Sequence, residues 1–250
     1  MNDKEDRINL LKNVVALRRL RSRYIHYVYG MTLEGSPYTR DGTEVMILLE
    51  RTHYLVTLKK LLAWIRENNP EVFTLQCVVT FGLQLCEGLH YLEKEGIIHA
   101  NLSSHTVRLD HLCNLKLGGI EQFPVSSTQA PIRWMSLETL NTGDIQPKSI
   151  VWTFGVLLWE IVSLGARPYH NLKTGLILYR LNKGYRLPCP ATASSSVYEL
   201  LLSCWRTQLE DRPTFVTLHR SLTHYKQTLP PSEHPSELFP DKEDYWNIVQ

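Results

Sequence analysis

The sequence predicts an α+β domain that is mainly helical, with a short antiparallel sheet near its beginning. Three observations carry this. Helical spacing of apolar residues dominates after Glu50; two strand-like runs, Ile25–Tyr29 and Glu44–Glu50, precede it; and Ile150–Gly165 is apolar on almost every face. A helix apolar all round is buried either in protein or in a bilayer. About 20 apolar residues are needed to span a membrane, whereas this run is shorter and contains Glu160, so it is expected at the centre of a protein core.

The elements follow in order. Leu10, Leu11, Val14, Val15, Leu17 and Leu20 recur at helical spacing, which predicts an amphipathic helix over Ile8–Arg21. The two strand-like runs are separated by Gly35, Pro37, Asp41 and Gly42, the residues of a turn or loop, so a hairpin follows the helix. Helices are predicted at Leu58–Glu67 and Thr74–Lys94, the second N-capped near Thr74 and ended by Gly96. Ile97–His99 and Leu115–Leu117 are too short for helices and read as small strands flanking a loop. Gly118–Ala130 reads as irregular. Further helices are expected near Thr174–Lys183, Val197–Trp205 and Thr214–Gln227, separated by Pro188, Pro190 and Pro213. Leu229–Gln250, with four prolines among acidic residues, reads as a tail.

Composition narrows the function classes. At 43% hydrophobic and 21% charged, the 250 residues can bury a sizeable core. A net charge of +2 with interspersed signs gives no electrostatic case for nucleic acid or for a membrane surface. The one basic concentration, Arg18–Arg23, reads as a solvated helix end. Cys77, Cys86, Cys113, Cys189 and Cys204 are odd in number and lack a CxxC pair, which suits free thiols and a reducing compartment. The charged start, Met1–Arg7, is not followed by a secretory apolar segment. A cytoplasmic location is expected, as is the alternative that the chain is the intracellular part of a longer membrane receptor.

Several ordered blocks resemble a protein kinase domain of the tyrosine-kinase branch. Gly96–His99 and the loop after it are similar to the approach to the HRD motif, and Pro131–Glu138 to the tyrosine-kinase form of the APE block. Lys148–Glu160 resembles the central buried helix of that family, while Gly184–Pro190 and Cys204–Phe215 resemble its late helical-lobe segments. The resemblance implies a kinase-like fold: a mainly helical C-lobe with a truncated N-lobe of one helix and a short sheet. It implies a domain over 1–226 lacking the glycine-rich loop and strand Lys, followed by a Pro-rich acidic tail over 227–250.

Phosphoryl transfer in this family uses a helix Glu paired with the strand Lys, a catalytic Asp, and an Asn and an Asp on metal. By the resemblance, those positions are Asn13, Asn101, Thr106 and Gly119 here. An amide at 101 has no basic oxygen to take a proton near neutral pH, and removing a general base typically slows a reaction by about 10²- to 10⁴-fold. Thr106 and Gly119 take away both protein ligands for a hard cation. Ala100 stands where the HRD Arg would receive an activation-loop phosphate, and Arg108 where an apolar residue would lie under adenine. Glu121, two residues on, is a candidate metal carboxylate or a solvated loop residue. From Gly119 to Glu138 there is no Tyr, and Ser126, Ser127 and Thr128 are turn formers or acceptors.

The architectural positions are kept. The resemblance implies a buried salt bridge between Glu138 and Arg212 and structural roles for His99 and Trp152. Ile150 replaces an Asp that would support the catalytic loop. The expected function is a pseudokinase: an inactive, non-enzymatic domain without cofactor, serving as a scaffold or allosteric regulator in phosphotyrosine signalling. Its expected partners are signalling proteins, including an active tyrosine kinase or a phosphotyrosine-reading adaptor that recognises Tyr245 in the tail. The alternative is a protein tyrosine kinase, or a fragment of one, using ATP and Mg²⁺ in an atypical site.

Overall fold

The computed structural model describes residues 14–35, 43–49, 56–110, 112–120 and 131–230. Residues 14–17 are helical and pass into a turn at 18–19, so the first helix stops short of Arg21. The local competition is visible. The Arg21 guanidinium donates to the carbonyls of Arg18 and Leu20, and its amide donates to the Tyr91 hydroxyl at 2.8 Å.

Two small sheets follow. β1 (Val28–Gly35) pairs antiparallel with β2 (Thr43–Leu49), with Met31 opposite Ile47 and an irregularity between Val28 and Gly30. This is the expected hairpin, with its first strand starting later and running further than the Ile25–Tyr29 pattern indicated. Ile25 instead makes a single parallel bridge to Leu117. The second sheet is antiparallel, in the order β3 (Val56–Thr57), β4 (Val107–Leu109), β5 (Leu115–Leu117). Ile97–His99 is not a strand. Its backbone turns back on the preceding helix, with the Ile97 amide on Leu92 O at 2.9 Å and the Ala100 amide on Ile98 O at 3.1 Å.

The helices are α1 (Leu58–Asn68), α2 (Leu75–Lys94), α3 (Leu137–Thr142), α4 (Pro147–Val162), α5 (Ile177–Asn182), α6 (Ser195–Cys204) and α7 (Phe215–Thr228). Hydroxyls cap α1, α3, α6 and α7: Thr57, Ser136, Ser194 and Thr214 each accept a backbone N–H from the first turn. Each such cap contributes about 1 kcal/mol. α3 is absent from the sequence reading because six residues show no period. Its signals are its ends, the Ser136 cap and Gly143 at φ +81°.

α4 is the core of the helical lobe, and every residue from Ser149 to Val162 is buried. It begins one turn earlier than Ile150, because Pro147 suits the first helical position and Ser149 accepts the Gln146 amide. A Cβ on Gly155 would lie 2.7 Å from Cys204 Cβ and from Trp205 Nε1, so glycine is what lets α4 touch the end of α6. Trp152 is fully buried, with the Arg186 and Arg212 guanidiniums 4.8 and 5.1 Å from its ring centroid. All five cysteines are free thiols.

Candidate functional site

The loop between α2 and β4 carries Asn101 and Thr106, and the fold brings them against Gly119. Thr106 Oγ1 donates to Asn101 O at 2.7 Å, lies 3.1 Å from Ser103 O, and accepts the Ser103 amide at 3.1 Å. Its hydroxyl therefore closes the loop on itself. Gly119 follows β5 with φ +78°, the left-handed region that favours glycine. A Cβ there would meet Thr106 Cγ2 at 2.8 Å and Thr106 Cβ at 3.0 Å, with Asn101 Nδ2 at 3.9 Å. The Thr106 methyl fills the volume that a side chain at 119 would enter. These three positions supply no carboxylate, so they do not fit a Mg²⁺ ion, whose protein ligands are typically carboxylates.

Behind the loop, His99 is buried, and neither ring nitrogen meets a hydrogen-bond partner among the described residues. Burial lowers its pKa from 6.5 to about 4, with the Gly118 backbone opposing in the smaller sense. Its imidazole is neutral near pH 7. Ile150 is buried, and with His99, Leu89, Leu92, Ile97 and Phe215 it borders a cavity of about 110 Å³. The Ile150 side chain is hydrocarbon only, so it offers the loop no hydrogen-bond acceptor from this side.

The loop is held from its other end. Glu160, fully buried in α4, accepts from Ser104 Oγ at 2.7 Å and from Trp134 Nε1 at 3.1 Å. Lys59 Nζ lies 3.6 Å from the same carboxylate and donates to Gly165 O at 2.7 Å, while the Lys59 amide donates to Ser104 O at 2.9 Å. One carboxylate thus ties together the loop, α1, α4 and the segment before α3.

Glu138 and Arg212 form the expected pair, bidentate at 2.8 Å on both oxygens, with Ser149 Oγ on Glu138 at 2.7 Å. Burial raises the Glu138 pKa, but the bonds from Arg212, Ser136 and Ser149 outweigh it and hold the group at about 2. Arg108 sits half-buried in β4 opposite Thr57. Asn13, Glu121, Ser126, Ser127, Thr128, Tyr245 and the tail beyond Pro230 lie outside the described residues.

The family profile described as protein tyrosine and serine/threonine kinase matches residues 1–222. The chain belongs to the protein kinase family. Its kinase domain is 31% identical over 223 residues to tyrosine-protein kinase Srms of Homo sapiens, covering 86% of this chain and 43% of that protein. It is 31% identical over 218 residues to protein-tyrosine kinase 6 of Mus musculus, covering 84% and 46% respectively. Tyrosine kinase receptor Cad96Ca of Drosophila melanogaster is 29% identical over 265 residues, covering 98% of this chain and 33% of the receptor. The chain spans less than half the length of these relatives. The kinase domain is thus tyrosine-kinase-like, and no helix among its described residues is long and apolar enough to cross a membrane.

The family resemblance singled out Asn101, Thr106, Gly119, Glu138 and Arg212, of which the fold brings the first three together and pairs the last two. The resemblance did not find Ser104 or Lys59, whose roles depend on contacts across the chain. A signal for Glu160 was present: a lone carboxylate in an otherwise apolar helix needs buried partners.

Proposed function

We propose that this kinase domain is a pseudokinase, a protein-binding platform in phosphotyrosine signalling that does not transfer phosphate and takes no nucleotide cofactor. The observation that carries the proposal is the interlock of Asn101, Thr106 and Gly119. The three positions converge on one point, and the Thr106 hydroxyl is engaged within the loop while its methyl stands against Gly119. Residues that shape the lobe persist beside them, namely the Glu138–Arg212 pair and the carboxylate of Glu160. His99, Ile150 and Trp152 act in this reading as packing residues. Signalling proteins are the partners it implies, among them an active tyrosine kinase or an adaptor that reads phosphorylated Tyr245.

A second reading has support of its own: the relatives are named as tyrosine kinases, which favours transfer of phosphate from ATP to protein tyrosine by an atypical site. A phosphotransfer assay on the full chain with ATP and Mg²⁺ or Mn²⁺ separates the two. No transfer above that of the Asn101→Ala variant is expected. Metal-dependent tyrosine phosphorylation that Asn101→Ala abolishes would overturn the pseudokinase reading in favour of the enzyme.

A further inference from the structure

Between Ser163 and Tyr198 the sequence contains no Asp or Glu, but it contains Arg167, Lys173, Arg180, Lys183 and Arg186. None of these five has an ion-pair partner among the described residues. The chain's net charge is only +2, and this stretch carries five positive charges and no negative one, as residues 8–33 also do.

The stretch is also one region in space. Buried Arg133 donates to the carbonyls of Pro168, Tyr169 and Leu172 from beneath, and it interacts unfavourably with Arg167, which together with burial lowers its pKa. Arg186 donates to Trp205 O, Leu181 O and Tyr185 O. These two inner cations meet carbonyl and hydroxyl oxygens but no carboxylate among the described residues, which leaves them without an anionic partner. Above them, Leu176, Tyr179, Arg180 and Lys183 fall at i, i+3, i+4 and i+7 along the helical turn that enters α5, and so share a face. Tyr179 is 58% exposed and Leu176 48% exposed, and Lys183 Nζ lies 6.0 Å from the Tyr179 ring centroid.

We propose that this face of α5 docks an acidic polypeptide segment of another protein, with Leu176 and Tyr179 receiving an apolar anchor and Lys173, Arg180 and Lys183 meeting its carboxylates. Charge complementarity names the partner: a helix face whose cations have no ion-pair partner among the described residues attracts acidic chains and repels basic ones. Tyr and Arg are among the residue types enriched at interfaces, and lysines suit the polar rim around them. A protein segment is favoured over a lipid surface because the feature is one narrow helix face on a nearly neutral chain. The proposal rests on the reading of the domain as a binding platform, but its test measures capture of a peptide rather than transfer of phosphate. Failure of one therefore leaves the other standing.

The probe is a labelled peptide of Asp and Glu residues flanking one Phe, titrated against the full chain beside its Asn/Gln counterpart. The acidic peptide is expected to bind more tightly, with affinity falling as salt rises. Arg180→Glu with Lys183→Glu should weaken it by about tenfold or more. Tyr179→Ser should weaken it while leaving the salt dependence intact. All three positions are exposed, so an unchanged thermal midpoint would exclude misfolding as the cause. Equal affinity for the two peptides, or no effect of the charge reversal, would overturn the proposal. So would binding to phosphatidylserine vesicles in place of the peptide. Tighter peptide binding by a full chain with Asp241→Asn, Glu243→Gln and Asp244→Asn would assign the face to the chain's own tail and likewise overturn it.

Discussion

Restoring a carboxylate at Gly119 tests the interlock directly. At φ +78° a non-glycine residue meets backbone strain of about 1–2 kcal/mol. Its Cβ would also lie 2.8 Å from Thr106 Cγ2, well inside the optimum carbon separation of about 3.5–4.0 Å. Overpacking of this kind costs about 1–3 kcal/mol. Gly119→Asp is therefore expected to destabilise the domain by roughly 2–5 kcal/mol, a large share of the stability of an ordinary domain. Thr106→Ser removes the offending methyl and keeps the hydroxyl that bonds Asn101 O. In a double-mutant cycle read by urea unfolding, Thr106→Ser should recover about 1–2 kcal/mol of the Gly119→Asp penalty. Mg²⁺ should not stabilise the Gly119→Asp variant alone. A penalty below about 0.5 kcal/mol, the level of an ordinary surface substitution, or strict additivity in the cycle would refute the interlock.

Two further outcomes concern titration and packing. Because the Glu138 pKa is depressed in the fold, its contribution is fully present above pH 4.5 and is lost as pH falls towards about 2. Glu138→Gln should flatten that acid limb in urea titrations and cost about 3–5 kcal/mol near neutrality, since it strands the Arg212 guanidinium. His99 is held neutral by burial, so the unfolded chain takes up its proton first; stability is complete above pH 6.5 and declines as pH falls through about 4. At pH 5 the loss is about 2 kcal/mol, and His99→Leu should remove that pH dependence. An identical slope between pH 6.5 and pH 5 in both proteins would refute this.

The sequence was most legible where one physical cause acts along the chain. The largely apolar run at Ile150–Gly165 pointed to a core helix, and α4 is one; prolines bounded α6 and α7 within a few residues. It was least legible where short segments depend on distant partners. Ile97–His99 has strand composition, yet its amides return to Leu92 and to its own turn. Val107–Leu109 becomes a strand because Val56–Thr57 and Leu115–Leu117 flank it in space. Asn101, Thr106 and Gly119 were singled out by the family resemblance. That Thr106 and Gly119 share one volume was not legible, because their contact is set by how β4 and β5 pair. Asn13 and Tyr245 lie outside the described residues.

The two ends of α4 treat the loop differently. Ile150 offers it only hydrocarbon, whereas Glu160, about 15 Å further along the helix, grips Ser104. The loop is thus a cantilever, mounted on the Glu160 carboxylate at Ser104, with its overhang around His99 bordering the apolar cavity beside Ile150. Ser104, which shares the Glu160 carboxylate with Trp134 and with Lys59 of α1, sits at the mount. Rewriting the overhang would leave the mount, and with it the placement of Trp134 and α1, in register.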